Sequence, residues 1–263
     1  MSMLKGALHL HSTYSDGEFH LRELREIFSS AGCAFACVTD HAEAFDANKL
    51  GAYVRECESL SDESFRIIPG LEYECRGRTH ILGYGVTALA DTRAPEELIR
   101  HIDGNGGVSV IAHPEDADFP WIETLRVLPT GIECWNSKYD GQYAPRPATF
   151  RLLWRLQERK PATYAFYGQD LHWKSQFCRM YTIMPETSSR VLTALASGNY
   201  VGCKGDLTLP STGRLPAPLL AHFARVHRRS HHMRQALDGL KRVTDYFGLT
   251  VPSPLKAQLR RIF

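Results

Sequence analysis

The residues most able to do chemistry in this chain are histidines and carboxylates placed at the ends of apolar runs. His9 and His11 stand one residue apart at the end of the run 4–10, and Asp16 follows shortly after. Asp40-His41 closes a second run, Glu72 a third and His113 a later one. His80 opens the short apolar stretch 80–86, and Asp170-Leu171-His172 repeats the one-residue spacing after the last run. On a strand, side chains at i and i+2 point to one face, so each spaced pair can direct two donors at one ion. Gathering these imidazoles and carboxylates in an apolar setting without a counter-ion would leave costly unpaired polar groups. Metal binding removes that cost, and mixed imidazole and carboxylate donors suit Zn²⁺, Mn²⁺ or Fe²⁺. His20, His101 and His222 lack such neighbours and read as histidines without a ligand role.

The elements that must position these residues alternate in type. Strand-like runs at 4–10, 34–39, 67–71, 80–86, 108–112, 131–135 and 163–167 are separated by segments of helical period. These include one around Leu21, Leu24, Ile27 and Phe28, another at 53–60, and a third at 150–156. Pro95-Glu96-Glu97 opens a further helix, with proline in the first turn and acids near the positive end of the dipole. Alternating strands and helices predict βαβ units and a mostly parallel sheet. About seven such units suit a closed or nearly closed α/β barrel, with an open doubly wound sheet as the alternative. In a parallel barrel the carboxyl ends of the strands share one face, which is where the polar residues fall. After Ser188 the pattern changes to a helix ending near Gly198, a Pro/Gly-rich loop over 205–218, and helices over 219–247 and 254–262.

With 263 residues, 43% hydrophobic and 23% charged, the composition is that of a globular protein, not a disordered or fibrous one. No apolar run approaches the ~18 residues of a membrane span, and the first residues lack a secretion signal, so a cytoplasmic location is expected. Seven scattered cysteines without a CxxC pair are poor material for a disulfide framework or a thiolate zinc finger and read as reduced, mostly buried thiols. The net charge of +2 conceals a basic end, since residues 222–263 hold nine Lys/Arg against two Asp. That end, with His227, His231 and His232 among its arginines, could meet nucleic acid or another anion, or be a solvated helix face.

Taken together, His9-Leu10-His11-Ser12, Ser15-Asp16-Gly17, Val38-Thr39-Asp40-His41, Gly70-Leu71-Glu72, His80-Ile81-Leu82-Gly83-Tyr84, Ala112-His113-Pro114, Gly131-Ile132-Glu133-Cys134-Trp135-Asn136 and Asp170-Leu171-His172-Trp173 closely resemble the successive motifs of the PHP (polymerase and histidinol phosphatase) family. They occur in the family's order across about residues 7–200. The resemblance implies an α/β fold, a distorted (β/α)7 barrel over residues 1–200, and the loop and basic helical segments over 201–263 read from their own pattern as a C-terminal extension packed on it. The resemblance also implies two to three divalent metals. His9, His11 and Asp170 would hold one ion, Glu72 would bridge to a second held by His80 and His113, and Asp16, His41 and His172 would hold a third. Two motifs depart from the family pattern: Ala42-Glu43 follows His41 where nucleotide-hydrolysing members carry an acid, and the last motif begins Gln169-Asp170 in place of Ser-Asp.

The implied activity is hydrolysis of a phosphate ester of a small molecule or nucleotide by attack of metal-bound hydroxide. Asp16, His172 and Arg179 are the expected catalytic groups. A phosphate needs cations beyond the metals, and Arg179, Lys138 and Arg76 each follow a strand-end motif. Asn136 could hydrogen-bond the substrate or cap the segment after it. Asp40 and Glu133 could orient ligand imidazoles, or Asp40 could simply end its strand. Trp135, Trp173 and Tyr84 could line a pocket or pack the barrel. A nuclease, or a regulatory module retaining metals without catalysis, are the competing functions.

Overall fold

The computed structural model describes residues 2–75, 79–186 and 191–229. β1 (Met3–Leu10), β2 (Phe35–Val38) and β4 (Arg66–Ile68) run parallel to one another, and β2 lies between the other two. β3 (Asp40–His41) and β5 (Gly70–Glu74) continue β2 and β4 after breaks at Thr39 and Pro69, and they pair in parallel in a second sheet. That sheet goes on through β6 (His80–Tyr84), β7 (Val108–Ala112), β8 (Gly131–Asn136) and β9 (Tyr164–Gly168). The first sheet extends on its other side through β10 (Met180–Pro185), β11 (Val201–Lys204) and β12 (Leu207–Pro210). Each sheet therefore has six strands. Past the end of β9 the chain meets β1 again through a parallel bridge between Leu10 and Leu171, with His11 N donating to Leu171 O at 3.0 Å.

The α/β class holds, and the strands form two sheets rather than one closed ladder. A mostly parallel sheet does not describe them. β6 is antiparallel to both β5 and β7, and β10 is antiparallel to β1. Reversing β6 has a consequence for the chemistry. Its first residue, His80, pairs with Glu74 and Ala112, so the start of β6 lies where its neighbours end. The stretch expected as loop over 205–218 contains β12, and β10, β11 and the short α4 (Phe119–Thr124) were not anticipated from the sequence.

Helices α1 (Leu21–Ser30), α2 (Ala47–Ser59), α3 (Pro95–Gly104) and α5 (Pro147–Arg159) each bury a stripe at helical spacing, such as Leu21, Leu24 and Phe28 in α1. These stripes join strand residues including Ala36, Val38, Ile81, Ile111 and Ile132 in the larger core. The alternate strand residues Leu8, Phe35, Cys37, Leu82, Val110, Phe166 and Met184 form a second core drawn from both sheets. Residues Val191, Ala194 and Leu195 of α6 (Val191–Ser197) close that inner core. A further helix spans 217–229, the last described residues, and buries Phe223. The helices expected over 230–247 and 254–262 lie outside the described residues. Five of the seven cysteines, Cys33, Cys37, Cys57, Cys134 and Cys178, are buried. Among the described residues no helix is long and apolar enough to cross a membrane.

Candidate metal centre

All nine residues singled out by type and spacing converge on one end of the strands. Glu72, 1% exposed, is the hub. Its Oε2 lies 3.4 Å from His9 Nε2, 3.2 Å from His11 Nε2 and 3.6 Å from His41 Nδ1. Its Oε1 lies 2.8 Å from His80 Nδ1 and 3.1 Å from His113 Nε2. Burial alone would raise the Glu72 carboxyl, but the imidazoles of His9, His11, His113 and His80 hold it well below the usual carboxylate range. Asp170 Oδ1 is 3.8 Å from His9 Nε2, 3.6 Å from His11 Nε2 and 3.1 Å from His172 Nδ1. Asp16 stands on the solvent side, its Oδ2 3.3 Å from His172 Nε2 and its Oδ1 3.6 Å from both His11 Nδ1 and His41 Nε2.

Among the described residues, donor atoms close enough to share an ion fall into four groups: His11, Asp16, His41 and His172; His9, His113 and Asp170; His9, His11 and Glu72; and His41, Glu72 and His80. His11 is the most telling member. Its ring is wholly buried, neither nitrogen makes a hydrogen bond, and burial lowers its pKa. Its Nε2 faces Glu72 Oε2 at 3.2 Å and its Nδ1 faces Asp16 Oδ1 at 3.6 Å, and a buried imidazole held among carboxylates without hydrogen-bond geometry is costly unless a lone pair is used by a cation, so the residues fit a metal.

The i/i+2 spacing of His9 and His11 works by a route that regular alternation would not supply. Leu8 packs in the inner core and Leu10 in the outer one, and the β1–β2 register shifts between Ala7 and Leu10. The shift coincides with a left-handed backbone at His9, φ 59°. His113 and Asp170 share that conformation, with φ 30° and 53°, and among the described residues no other non-glycine does. The three are also one donor group. A left-handed backbone costs roughly 1–2 kcal/mol per non-glycine residue, so this group is held in place by its surroundings.

Those surroundings are visible. His9 Nδ1 is 2.8 Å from Glu133 Oε1, and Glu133 Oε2 accepts from His113 N at 3.0 Å and from Asn136 Nδ2 at 2.9 Å. Glu133 therefore holds the His9 imidazole in place. Asp40 instead clamps the loop that carries Asp16, accepting from Ser12 N and Oγ at 2.8 and 2.7 Å and from Ser15 N and Oγ at 3.1 and 2.6 Å. Gly168 ends β9 so close to Glu133 that a Cβ there would sit 1.8 Å from Glu133 Oε1 and 2.9 Å from His9 Cβ. Nothing in sequence spacing marks Gly168, because the close approach is made by β8.

The expected substrate contacts fare unevenly. Lys138 is in the centre, with Nζ 3.2 Å from Asp170 Oδ1. Asn136 is fully buried and spends its amide inside the protein. It donates to Glu133 and Asp170 and accepts from the backbone N–H groups of Lys138 and Tyr139, so it supports the site and caps the following turn rather than reaching substrate. Arg179 departs from expectation. It is exposed, it alternates with buried Cys178 and Met180 entering β10, and its charge acts on Tyr181 on the outer side. Among the described residues it makes no hydrogen bond or ion pair with the donors, although it follows His172 closely in sequence. Arg76 lies outside the described residues. Trp135 and Tyr84 are core residues, whereas Trp173 is 47% exposed beside His172, with ring centroids 5.4 Å apart. Tyr139, not foreseen, stacks on His113 at 4.3 Å. His227 reaches Ala144 O at 2.9 Å from the helix that also carries the exposed Arg225, Arg228 and Arg229, and the basic end from 230 on lies outside the described residues.

A mixed α/β fold that gathers imidazoles and carboxylates at strand ends, in groups that could hold metal ions, has the make-up of a metal-dependent protein. Residues 7–153 match the model of the PHP domain, over more than half of the chain, and the chain belongs to that family. It is 35% identical over 82 residues to the DNA polymerase/3'-5' exonuclease PolX of Bacillus subtilis (strain 168), which is 28% of this chain and 14% of that relative. Among solved structures it resembles a two-domain protein containing a predicted PHP-like metal-dependent phosphoesterase from Bacteroides vulgatus ATCC 8482. That likeness has a TM-score of 0.60 at 16% identity and covers 79% of this chain and 66% of that one. It also resembles PsfC from Pseudomonas syringae PB-5123, with a TM-score of 0.51 at 16% identity over 88% of this chain and 99% of that one. At such identities the structural likeness is one of fold.

Proposed function

We propose that the protein is a metal-dependent phosphoesterase that hydrolyses a phosphate ester of a small molecule or nucleotide. The observation that carries this reading is the hub at Glu72, one buried carboxylate within 3.6 Å of five imidazoles, beside a His11 ring that has no hydrogen bond. In this reading His9, His11, Asp16, His41, Glu72, His80, His113, Asp170 and His172 hold two to three ions of Zn²⁺, Mn²⁺ or Fe²⁺. Bound there, such ions polarise phosphoryl oxygens and bring the pKa of water toward neutrality.

The chain's own side chains do the rest. A proton on His9 Nδ1 is donated to Glu133, which leaves the Nε2 lone pair facing the donors. Asn136 and the backbone fix Glu133 and Asp170 from behind. Asp16, half-exposed and held 3.3 Å from His172, has a second carboxylate oxygen beyond the one an ion would take, through which a proton can pass to solvent. Lys138 supplies the cationic contact for the phosphate, in place of Arg179. Residues 1–200 are read as the hydrolase unit and those from 201 on as an extension, whose first strands add to the sheet beside β10.

A second reading, an oligonucleotide-cleaving activity, draws on the local likeness to the PolX exonuclease. One experiment separates them. Phosphorylated metabolites, nucleotides and short oligonucleotides are incubated with the protein and Mn²⁺ or Zn²⁺, and phosphate release and chain shortening are followed. Release of phosphate from a small ester is expected, falling at least about a hundredfold in His9→Ala. Activity on oligonucleotides alone would favour the second reading, and no release from any substrate would refute both.

A further inference from the structure

Lys138 occupies a position that a metal ion in the Asp170 group would contest. Its Nζ lies 3.2 Å from Asp170 Oδ1 and 3.3 and 3.4 Å from Nδ1 and Nε2 of His172. The same Oδ1 is the oxygen that faces His9 and His11. The other oxygen, Oδ2, accepts from Asn136 Nδ2 at 3.2 Å, and Asn136 Oδ1 in turn accepts from Lys138 N at 3.0 Å. One short segment, 136–138, thus claims both oxygens of a buried carboxylate, one through a rigid amide and one through a long flexible stem. Asn136 is wholly buried, whereas the Lys138 side chain is 25% exposed, so its head has a path to solvent while its backbone stays fixed.

An ammonium is a donor only and carries a full charge. It and a divalent cation repel each other at one carboxylate oxygen, and their interaction is weakly screened at a buried site. The carboxylate, however, is costly if neither is present. We propose that Lys138 and the metal ion of the Asp170 group are alternative partners of Asp170 Oδ1, and that metal loading turns the Lys138 ammonium outward to bind the substrate phosphate. This rests on the phosphoesterase reading, and it makes phosphate capture conditional on a loaded centre. Asp170 keeps a cation in either arrangement, so the exchange leaves no buried charge unpaired.

The test uses the full chain, treated with a chelator and then titrated with Mn²⁺ alone, followed by inorganic phosphate binding to the Mn²⁺-loaded protein. Lys138→Met removes the competitor and should bind Mn²⁺ about tenfold more tightly or better, the scale at which groups behind a metal centre act. The loaded variant should bind phosphate about tenfold less tightly, as expected from losing a charge-assisted hydrogen bond. Lys138→Gln should behave as K138M does, and Lys138→Arg, which keeps the charge, should stay near the parent in both measurements. Thermal melting of each variant confirms the fold. Neutral variants that bind Mn²⁺ no more tightly than the parent, or an arginine variant that matches them, would overturn the exchange. The predicted response without phosphate release from any ester would support the exchange and overturn the phosphoesterase reading alone.

Discussion

His172 is 1% exposed and lies between two carboxylates, Asp16 Oδ2 at 3.3 Å and Asp170 Oδ1 at 3.1 Å. Burial lowers its pKa, but the two acids outweigh burial and push it up to about 9. A pKa raised above the unfolded value means that the bound proton stabilises the fold. That contribution is complete below about pH 6.5 and is lost as the pH rises toward 9. Metal ligation needs the same nitrogen free of its proton, so metal affinity runs the other way. In chelator-treated protein the melting temperature should fall between pH 6.5 and 9, while the apparent Mn²⁺ affinity should rise over the same window. A melting temperature that climbs across it would contradict the assigned pair. His172 was legible in the sequence as a donor, but the direction of its shift depends on Asp16, brought against it by the loop that Asp40 clamps. The left-handed backbones at His9, His113 and Asp170 were not legible at all, since no residue type there favours them as glycine would.

At the scale of elements, the centre depends on how closely β8 and β9 approach. Gly168→Ala would drive a methyl group into Glu133 Oε1 and against His9. The expected cost is about 1–3 kcal/mol of stability from overpacking. Metal affinity should also fall about ten- to hundredfold, because Glu133 can no longer hold His9. Urea denaturation and Mn²⁺ titration read the two effects separately, and a variant with unchanged metal affinity would refute the link. Most helices and strands were readable because their apolar periods are long, as with α5 and β7. Among those missed, α4 has six residues and β11 and β12 four each, too short to show a period, with Gly202 inside β11 and Pro210 ending β12. Their stability comes from partners. β11 pairs with β10 on one side and β12 on the other, and Gly202 lets the Tyr167 ring pack directly on the strand.

Across the whole molecule, the donors come from both sheets. β1 supplies His9, while β3, β5 and β6 supply His41, Glu72 and His80, and the two sheets are held together by the inner core under α6. A ligand that ties these elements together binds the folded chain and not the unfolded one. Mn²⁺ at about a hundred times its dissociation constant should therefore add roughly 2.7 kcal/mol per independent site to the unfolding free energy. The urea midpoint should rise with metal and return on chelation. A midpoint insensitive to metal would show that these donors do not hold an ion across the fold.

The order and type of the donors were determined by sequence alone, because strand ends, spaced pairs and apolar runs are local patterns. So were the family and the α/β class. Which donors share an ion, which cation stands among them and which residues support them were decided by the tertiary structure. Lys138 and Arg179 both follow a strand-end motif, yet one pairs with Asp170 and the other, exposed and acting on Tyr181, makes no hydrogen bond or ion pair with the donors. The Lys138 contact depends on the path of a turn fixed by Asn136, whose amide donates to Asp170 from far along the chain. That is not a property of the residues next to Lys138 in the sequence.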